Sequence, residues 1–320
     1  MDFPKLKIGK LLPKIPIIQG GMAIKVSMAK LASAVANAGG IGVIGGSALS
    51  VNELKDEIKK ARSMTSGILG VNIMYAFTGF AESLKASIEA GIDLIISGAG
   101  FSRDMFSLGK ERDVPIVPIV SSLKLARISE RMGASAVIVE GGNAGGHLGT
   151  DKDSWDLVKK IKDRIKIPVI PAGDIVSPKD VSRMFEMGLD GVQMGTRFLA
   201  TYEADVSDKF KDLLVKAKNS DVIKIMSSAG FPANALKSRF SKLVLQGEAP
   251  SPENCTNCLK HCTKEFCIKD ALIRARKGDK DRGIFFTGKG IEKIKDIISV
   301  EEVFERISSY GLVYEKIGVS

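Results

Sequence analysis

The chain has 320 residues, of which 44% are hydrophobic and 26% charged, and a formal net charge of +10 at pH 7. This composition is typical of a globular protein with one large core, and it excludes a disordered or fibrous chain. No apolar run approaches the ~18–20 residues that cross a bilayer, and the lysine-containing N-terminus lacks the apolar segment of a signal peptide, so we expect a cytoplasmic protein without a membrane partner.

The excess of positive charge does not by itself indicate a nucleic-acid partner. Lysines alternate with acidic residues along segments such as 52–60, which is typical of a solvent-exposed helix face. One tryptophan and four tyrosines are few for a surface that stacks bases. We therefore expect no nucleic acid, and an acidic protein or a phosphorylated small-molecule substrate suits this charge better.

Between residues 15 and 198, a short apolar run followed by an amphipathic stretch recurs eight times. The predicted strands are 15–19, 41–44, 68–73, 94–97, 116–120, 137–140, 168–171 and 192–194. Intervening stretches such as 28–38, 51–62, 123–132 and 178–187 have the apolar spacing of helices. Ser27, Ser50 and Ser177 are candidate N-caps, the last followed by Pro178 at the first helical position.

Eight strand–helix units at a period of ~25 residues predict an α/β fold, the (β/α)8 TIM barrel. A doubly wound open sheet is the alternative, but such sheets typically have five or six strands. In a barrel, the loops that follow the strands carry the chemistry. These loops are where the sequence places its glycines and polar side chains.

The pattern changes after residue 198, which predicts a second unit. We expect residues 1–200 to form the barrel and residues 201–284 to form a smaller, mostly helical domain. Residues 229–233 contain glycine and proline and indicate a break rather than a strand. A last helix from about residue 291 to 308, within the C-terminal segment 285–320, is expected to return to the barrel as its eighth outer helix.

The loop after the sixth predicted strand contains Glu140, five glycines and His147, one of only two histidines. Glycine loses the most backbone freedom on folding, so a loop this rich in glycine indicates a close approach of the backbone to a ligand. A neutral imidazole can remove a proton from carbon acidified by a nitro group, and its protonated form can donate a proton to an enolate. The alternative is a histidine that only holds the loop backbone.

Other loops suggest where a ligand would be held. The Gly195–Thr196 turn, with Gly173 on the neighbouring loop, is suited to a phosphate, although a tight turn with Arg197 in an ion pair would look the same. Asn72 can pair with the edge of a planar heterocycle, and Met22 can lie against its face. Taken singly, Met22 is better explained as core filler and Asn72 as a turn cap.

Taken together, segments 16–23, 39–42, 70–72, 140–147 and 193–198 resemble the nitronate monooxygenase family, which includes the FMN-dependent enoyl-ACP reductases of the second type. The resemblance covers residues 10–200 and implies a barrel that binds FMN, with His147 beside the substrate. The cofactor-binding residues then expected are Gly20, Gly21, Met22, Asn72, Glu140, Gly145, Gly146, Gly173, Asp174, Gly195 and Thr196. Asp174 departs from the family, which commonly has glycine there, and Lys289 is placed to reach the phosphate.

All four cysteines fall within thirteen residues, as Cys255, Cys258, Cys262 and Cys267. Four soft ligands at this spacing in a cytoplasmic protein predict a metal site rather than disulfides. A four-iron–four-sulfur cluster is favoured over zinc, because the first three cysteines resemble such a site in flavin-containing barrel reductases of the dienoyl-CoA type. Simple buried thiols are the third alternative.

These features predict an FMN-dependent oxidoreductase that oxidises nitronates or nitroalkanes, with His147 as general base. The first alternative is an enoyl-ACP or enoyl-CoA reductase that uses NAD(P)H or ferredoxin, for which an acidic acyl carrier protein is the expected partner. A flavin and iron–sulfur electron carrier or redox sensor, and a phosphosugar barrel enzyme without flavin, are alternatives of other classes. A homodimer is the assembly we expect if the chain associates.

Overall fold

The computed structural model describes residues 3–317, and the side chains of residues 3–310. Its strands up to residue 194 are β1 (Ile17–Gln19), β2 (Ile41–Gly45), β3 (Ile68–Met74), β4 (Leu94–Gly98), β5 (Ile116–Val120), β6 (Val137–Glu140), β7 (Gly146–His147), β8 (Val169–Ala172) and β9 (Val192–Met194). All of them except β7 pair in parallel to form a closed barrel, in which β9 returns to β1. The predicted (β/α)8 TIM barrel is confirmed.

The helices between the barrel strands are α1 (Ala29–Asn37), α2 (Val51–Met64), α3 (Phe80–Glu89), α4 (Arg103–Glu111), α5 (Leu123–Arg131), α6 (Ser154–Ile161), α7 (Pro178–Glu186) and α8 (Thr196–Leu199). The strands are almost entirely buried because helices cover their outer face and side chains fill the barrel. Within residues 3–317, no helix has the length and apolar character needed to cross a membrane.

Two of the three predicted N-caps are confirmed. Ser50 and Ser177 each form a capping box with the acidic residue three positions later. Ser27 is not a cap, because α1 begins after Met28. The Ser27 hydroxyl instead accepts from the Met22 amide at 2.8 Å and donates to the Met22 carbonyl at 3.1 Å. It therefore fixes the loop that follows β1.

Residues 201–284 combine helices with a small sheet. The elements are α9 (Asp208–Lys216), β10 (Val222–Met226), β11 (Pro232–Leu236), α10 (Arg239–Gln246) and α11 (Ile268–Arg276). The interpretation of residues 229–233 as a break was wrong, since Pro232 begins β11, where a strand tolerates proline. β11 pairs antiparallel with both β10 and β7, with Ala233 opposite His147. The expectation of a mostly helical segment missed this sheet.

The C-terminal helix α12 (Val300–Ile317) packs against α7 and α1 on the outside of the barrel. It begins at Val300 rather than at residue 291, where the structure has only the short 3-10 turn Ile291–Lys293. Arg197 holds the segment before it, through an ion pair with Asp296 at 3.0 Å. Residues 318–320 of the predicted C-terminal segment lie outside the described residues.

Candidate active site

A cavity of about 630 Å³ lies where the barrel strands end, between the barrel loops and residues 210–289. The twelve residues that the sequence singled out for catalysis or cofactor binding all line it: Gly20, Gly21, Met22, Asn72, Glu140, Gly145, Gly146, His147, Gly173, Asp174, Gly195 and Thr196. The structure thus brings together residues at the ends of five barrel strands, β1, β3, β6, β8 and β9. This location is the one at which barrel enzymes carry out their chemistry.

His147 lies on the short strand β7, and its Nε2 is 2.9 Å from the Ser227 hydroxyl. The rings of Phe231 and Phe286 stand edge-on to the imidazole, at centroid distances of 6.1 and 5.2 Å. Burial among these groups lowers the pKa of His147 to about 4. The side chain keeps some exposed area toward the cavity, but at neutral pH the imidazole is uncharged and free to accept a proton.

Glu140 ends β6 and faces the same cavity. Burial raises the pKa of its carboxyl to about 8, because the charged form loses its water without gaining a cation. At neutral pH the group is therefore mostly a neutral carboxylic acid, which can donate a hydrogen bond as well as accept one. Burial thus shifts the pKa values of Glu140 and His147 in opposite directions, and both side chains are neutral at neutral pH.

Two amide side chains present acceptors to the cavity. Asn72 Nδ2 donates to the Gly21 carbonyl at 2.9 Å, and a Cβ on Gly21 would lie 2.3 Å from the Asn72 Cβ, so glycine is required there. Within the described residues, neither Asn72 Oδ1 nor Gln193 Oε1 has a hydrogen-bond partner, although both are buried. An unpaired buried acceptor is unfavourable by ~1–3 kcal/mol, so these oxygens indicate a bound ligand with N–H or O–H donors.

The predicted phosphate turn is open. A Cβ on Gly195 would meet no atom within 4 Å, so there is room for a group beside this backbone. The Thr196 hydroxyl accepts from the Gly288 amide at 3.2 Å, which brings Lys289 to the same wall of the cavity. Asp174 does not leave a free charge here, because its carboxylate is 3.0 Å from Lys293 Nζ. The departure at Asp174 is thus compatible with a phosphate.

Sequence reasoning missed the residues that support the glycine loop from the second unit. The Asn234 side chain is buried and donates to the carbonyls of Gly142 and Ala144, at 2.9 and 2.7 Å. Ser227 and Phe231 come from the hairpin that contains β10 and β11. Nothing in their spacing pointed to the site, because they reach it only through the pairing of β11 with β7.

The cysteines require a correction. Among the described residues, no three or more histidine, cysteine, aspartate or glutamate side chains form a group that could hold a metal ion, so neither the iron–sulfur nor the zinc prediction is supported. The Cys255 thiol contacts Asn257 Oδ1 at 3.5 Å, whereas Cys267 caps α11 by accepting from the Asp270 amide at 3.4 Å. Cys255, Cys258, Cys262 and Cys267 are free thiols that line a second cavity of about 230 Å³.

The closed barrel and the cavity at the carboxyl ends of its strands are typical of an enzyme of the TIM-barrel class. The chain belongs to the nitronate monooxygenase family, since the model of that family, described as "Nitronate monooxygenase", matches residues 5–309. Family membership makes the protein an oxidoreductase that depends on FMN. The resemblance seen in the sequence is confirmed.

Individual relatives agree with this assignment. A probable nitronate monooxygenase of Staphylococcus aureus is 29% identical over 283 residues, which cover 74% of this chain and 79% of the relative. The solved structure of FabK from Thermotoga maritima is 34% identical, covers 95% of both chains and has a TM-score of 0.86. Nitroalkane oxidase from Streptomyces ansochromogenes shares the fold, with a TM-score of 0.83 at 22% identity.

The cavity fits FMN on the chemistry of its wall. The unpaired amide oxygens of Asn72 and Gln193 are acceptors for ring N–H or ribityl O–H groups, and the open space at Gly195 suits a phosphate. Lys289 supplies a cation at the same wall. Neutral Glu140 adds a hydrogen-bond donor without adding charge.

Proposed function

We propose that this enzyme oxidises nitronates and their parent nitroalkanes with dioxygen, and that His147 is the proton acceptor. The observation that carries the proposal is the neutral imidazole of His147 at the cavity wall, with its pKa lowered to about 4 by burial. A base of this kind remains unprotonated throughout the neutral range. The name of the Staphylococcus aureus relative supports the same substrate class.

The proton step uses only groups of this chain and the substrate. The C–H bond next to the nitro group breaks, the proton goes to the His147 imidazole, and the electron pair remains on the nitronate. The Ser227 hydroxyl accepts from the Ala229 amide at 3.2 Å, so its position is set by backbone, and it in turn orients the imidazole through Nε2. Phe231 and Phe286 limit the water around the ring.

The remaining residues hold the cofactor and keep it oriented. FMN, when bound, supplies a two-electron acceptor and donor. Asn72, Gln193 and protonated Glu140 are the polar groups for its ring system and ribityl chain. Thr196 and Lys289 are the side chains for its phosphate, with the Gly195 turn beside them.

The test compares two substrates in one variant. His147→Gln should lower turnover of a neutral nitroalkane about 10²-fold or more, since general-base catalysis typically contributes 10²–10⁴. Turnover of the preformed nitronate, which has already lost that proton, should fall far less. Bound FMN, read from its absorbance, should be retained in the variant.

The matched control is His261→Gln, which changes the other histidine, an exposed residue outside the main cavity. It should leave both turnover numbers unchanged. Equal losses for nitroalkane and nitronate in His147→Gln would show that His147 is not the base. Full activity of that variant on both substrates would remove it from the mechanism.

Reduction of an enoyl thioester is a second candidate, and a specific observation favours it. The cavity extends along α11, where Ile268, Leu272 and Ala275 line it together with Phe210 and Ile284. This apolar extension is more than a small nitroalkane requires and is suited to an acyl chain. His147 would then act in the reverse sense and deliver a proton to the carbon next to the thioester carbonyl, which requires the imidazole to be protonated in the complex. The lowered pKa of His147 in the ligand-free protein disfavours that form.

The two candidates separate in paired assays of the FMN-loaded enzyme. One follows oxygen consumption with a nitronate, and the other follows anaerobic NAD(P)H-driven or ferredoxin-driven reduction of crotonyl thioesters. Turnover only in the first supports nitronate oxidation. Turnover only in the second assigns the enzyme to enoyl reduction, with an acyl carrier protein as the natural thioester carrier to be tested next.

A further inference from the structure

The second cavity, of about 230 Å³, adjoins the main one. Four residues line both cavities: Cys258, Leu259, Ile268 and Lys269. The two cavities are therefore separated by a single layer of side chains. The segment that forms this wall is fixed to the rest of the protein. Lys260 N donates to the Ala76 carbonyl at 2.9 Å, and Thr263 N donates to the Ser228 carbonyl at 2.9 Å.

The charged side chains that line this cavity are lysines. Lys260, Lys264 and Lys269 line it, and no aspartate or glutamate is among its lining residues in the described part of the chain. Three acids lie close by in the chain. Glu253 and Glu265 are exposed and do not line the cavity, and Asp270 is 2.7 Å from Arg274, which balances its charge. Lys260 Nζ lies over the Tyr75 ring, 3.5 Å from its centroid, so Lys264 and Lys269 are the lysines available to a ligand in this cavity. Their two ammonium groups favour an anion there.

A buried hydroxyl points to the same conclusion independently. Ser228 is fully buried and lines this cavity, yet its Oγ has no hydrogen-bond partner among the described residues. An unpaired buried hydroxyl is unfavourable, and an oxygen-rich anion would supply its partner. Ser227, the residue before Ser228, has its hydroxyl 2.9 Å from His147 Nε2. A group bound at Ser228 therefore lies one residue along the chain from the side chain that orients His147.

We propose that this cavity is a phosphate subsite for the extended arm of a ligand whose reactive end lies at His147. Lysine is a common phosphate ligand as a point charge, and a hydroxyl donor completes the set. A phosphate on an extended arm occurs in pantetheine thioesters and in nicotinamide dinucleotides. The inference rests on the proposed function only for the identity of that arm, and the binding of phosphate can be measured without turnover.

The cysteines provide a built-in probe of occupancy. All four line this cavity, and Cys255, Cys262 and Cys267 line it without lining the main one, so their alkylation by neutral iodoacetamide reports on this site. The rate of alkylation of each cysteine in the FMN-loaded enzyme would be measured by peptide mass with pyrophosphate, NADPH or S-methyl-CoA. A ligand at ten times its Kd should slow the reaction about tenfold.

The variants test the lysines and the hydroxyl separately. Lys264→Gln/Lys269→Gln and Ser228→Ala should each reduce the protection, with circular dichroism confirming that both fold. The matched control is Lys277→Gln/Lys280→Gln, which removes the same charge from exposed positions outside this cavity and should be protected like the unaltered enzyme.

The outcomes are distinct. Protection by S-methyl-CoA alone identifies a thioester arm, protection by NADPH alone identifies a reductant arm, and either supports the subsite. The absence of protection by all three ligands overturns it, as does stoichiometric iron with sulfide, or zinc, in anaerobically purified protein. An enzyme that shows protection but neither activity would contradict the proposed function and leave the subsite intact.

Discussion

At the scale of the residue, Glu140 and His147 carry opposite pKa shifts that have one cause. Burial favours the neutral form of each, which raises the pKa of the acid to about 8 and lowers that of the base to about 4. Both side chains are therefore uncharged at neutral pH before a ligand enters. The proposed nitronate substrate, an anion, would meet no repulsion from the Glu140 carboxyl.

The Glu140 shift predicts a pH-dependent stability. Above pH 4.5 the unfolded chain releases the Glu140 proton, whereas the folded chain retains it up to about pH 8. The free energy of unfolding therefore falls as pH rises between these values. In FMN-free protein, Glu140→Gln should gain stability relative to the unaltered chain over this range, by up to a few kcal/mol at ~1.4 kcal/mol per pKa unit.

Urea unfolding at a series of pH values measures this gain. His147→Gln is the control of opposite sign, because a lowered histidine pKa removes stability as pH falls from 6.5 to about 4. The gain in the free energy of unfolding of His147→Gln relative to the unaltered protein should appear only below about pH 6.5. A difference between Glu140→Gln and the unaltered protein that does not change with pH would show that the carboxyl is ionised in the folded state.

At the scale of the element, the site depends on the pairing of β11 with β7. Apolar runs predicted the barrel strands, because burial on both faces leaves a continuous hydrophobic signal. The glycine loop and His147 were predictable because they directly follow one of those apolar runs, at the end of a barrel strand where the chemistry of this fold is located. The supporting hairpin was not, because Pro232 and Gly230 indicate a turn in sequence and only the tertiary partner makes β11 a strand.

Asn234 is the side chain that ties this hairpin to the glycine loop, and its replacement tests the link. Asn234→Asp replaces the amide that donates to the Gly142 and Ala144 carbonyls with an oxygen that faces them. We expect a loss of ~1–3 kcal/mol in the free energy of unfolding, together with weaker FMN retention.

The matched control for this change is Asn37→Asp, at an exposed asparagine whose side chain donates to the Met64 carbonyl at 3.1 Å. Water can replace that bond, so the control should change stability by less than ~0.5 kcal/mol. Unfolding in urea and the FMN content after gel filtration give the two readouts. Equal effects of both substitutions would mean that Asn234 does not hold the loop.

At the scale of the whole molecule, the C-terminal helix α12 covers part of the outer surface of the barrel, against α1 and α7. Phe304 of α12 is buried, and its ring centroid is 6.0 Å from that of Phe198, which lies two residues after Thr196. Gly40 leaves room for the same ring, since a Cβ there would be 2.7 Å from Phe304 Cζ. The C-terminal helix therefore supports the Gly195–Thr196 turn, the proposed phosphate site, from outside the barrel.

Phe304→Ala tests this support. Removal of a buried phenylalanine ring typically costs about 3–5 kcal/mol, through lost burial and the cavity that remains. Because the ring packs on Phe198, the Gly195 turn should also become less ordered, so we expect the affinity for FMN to fall along with the free energy of unfolding. Phe304→Leu, which keeps much of the volume, should lose less of both. A large loss of stability with unchanged affinity for FMN, measured by titration of the FMN-free protein, would show that α12 stabilises the barrel without supporting the phosphate turn.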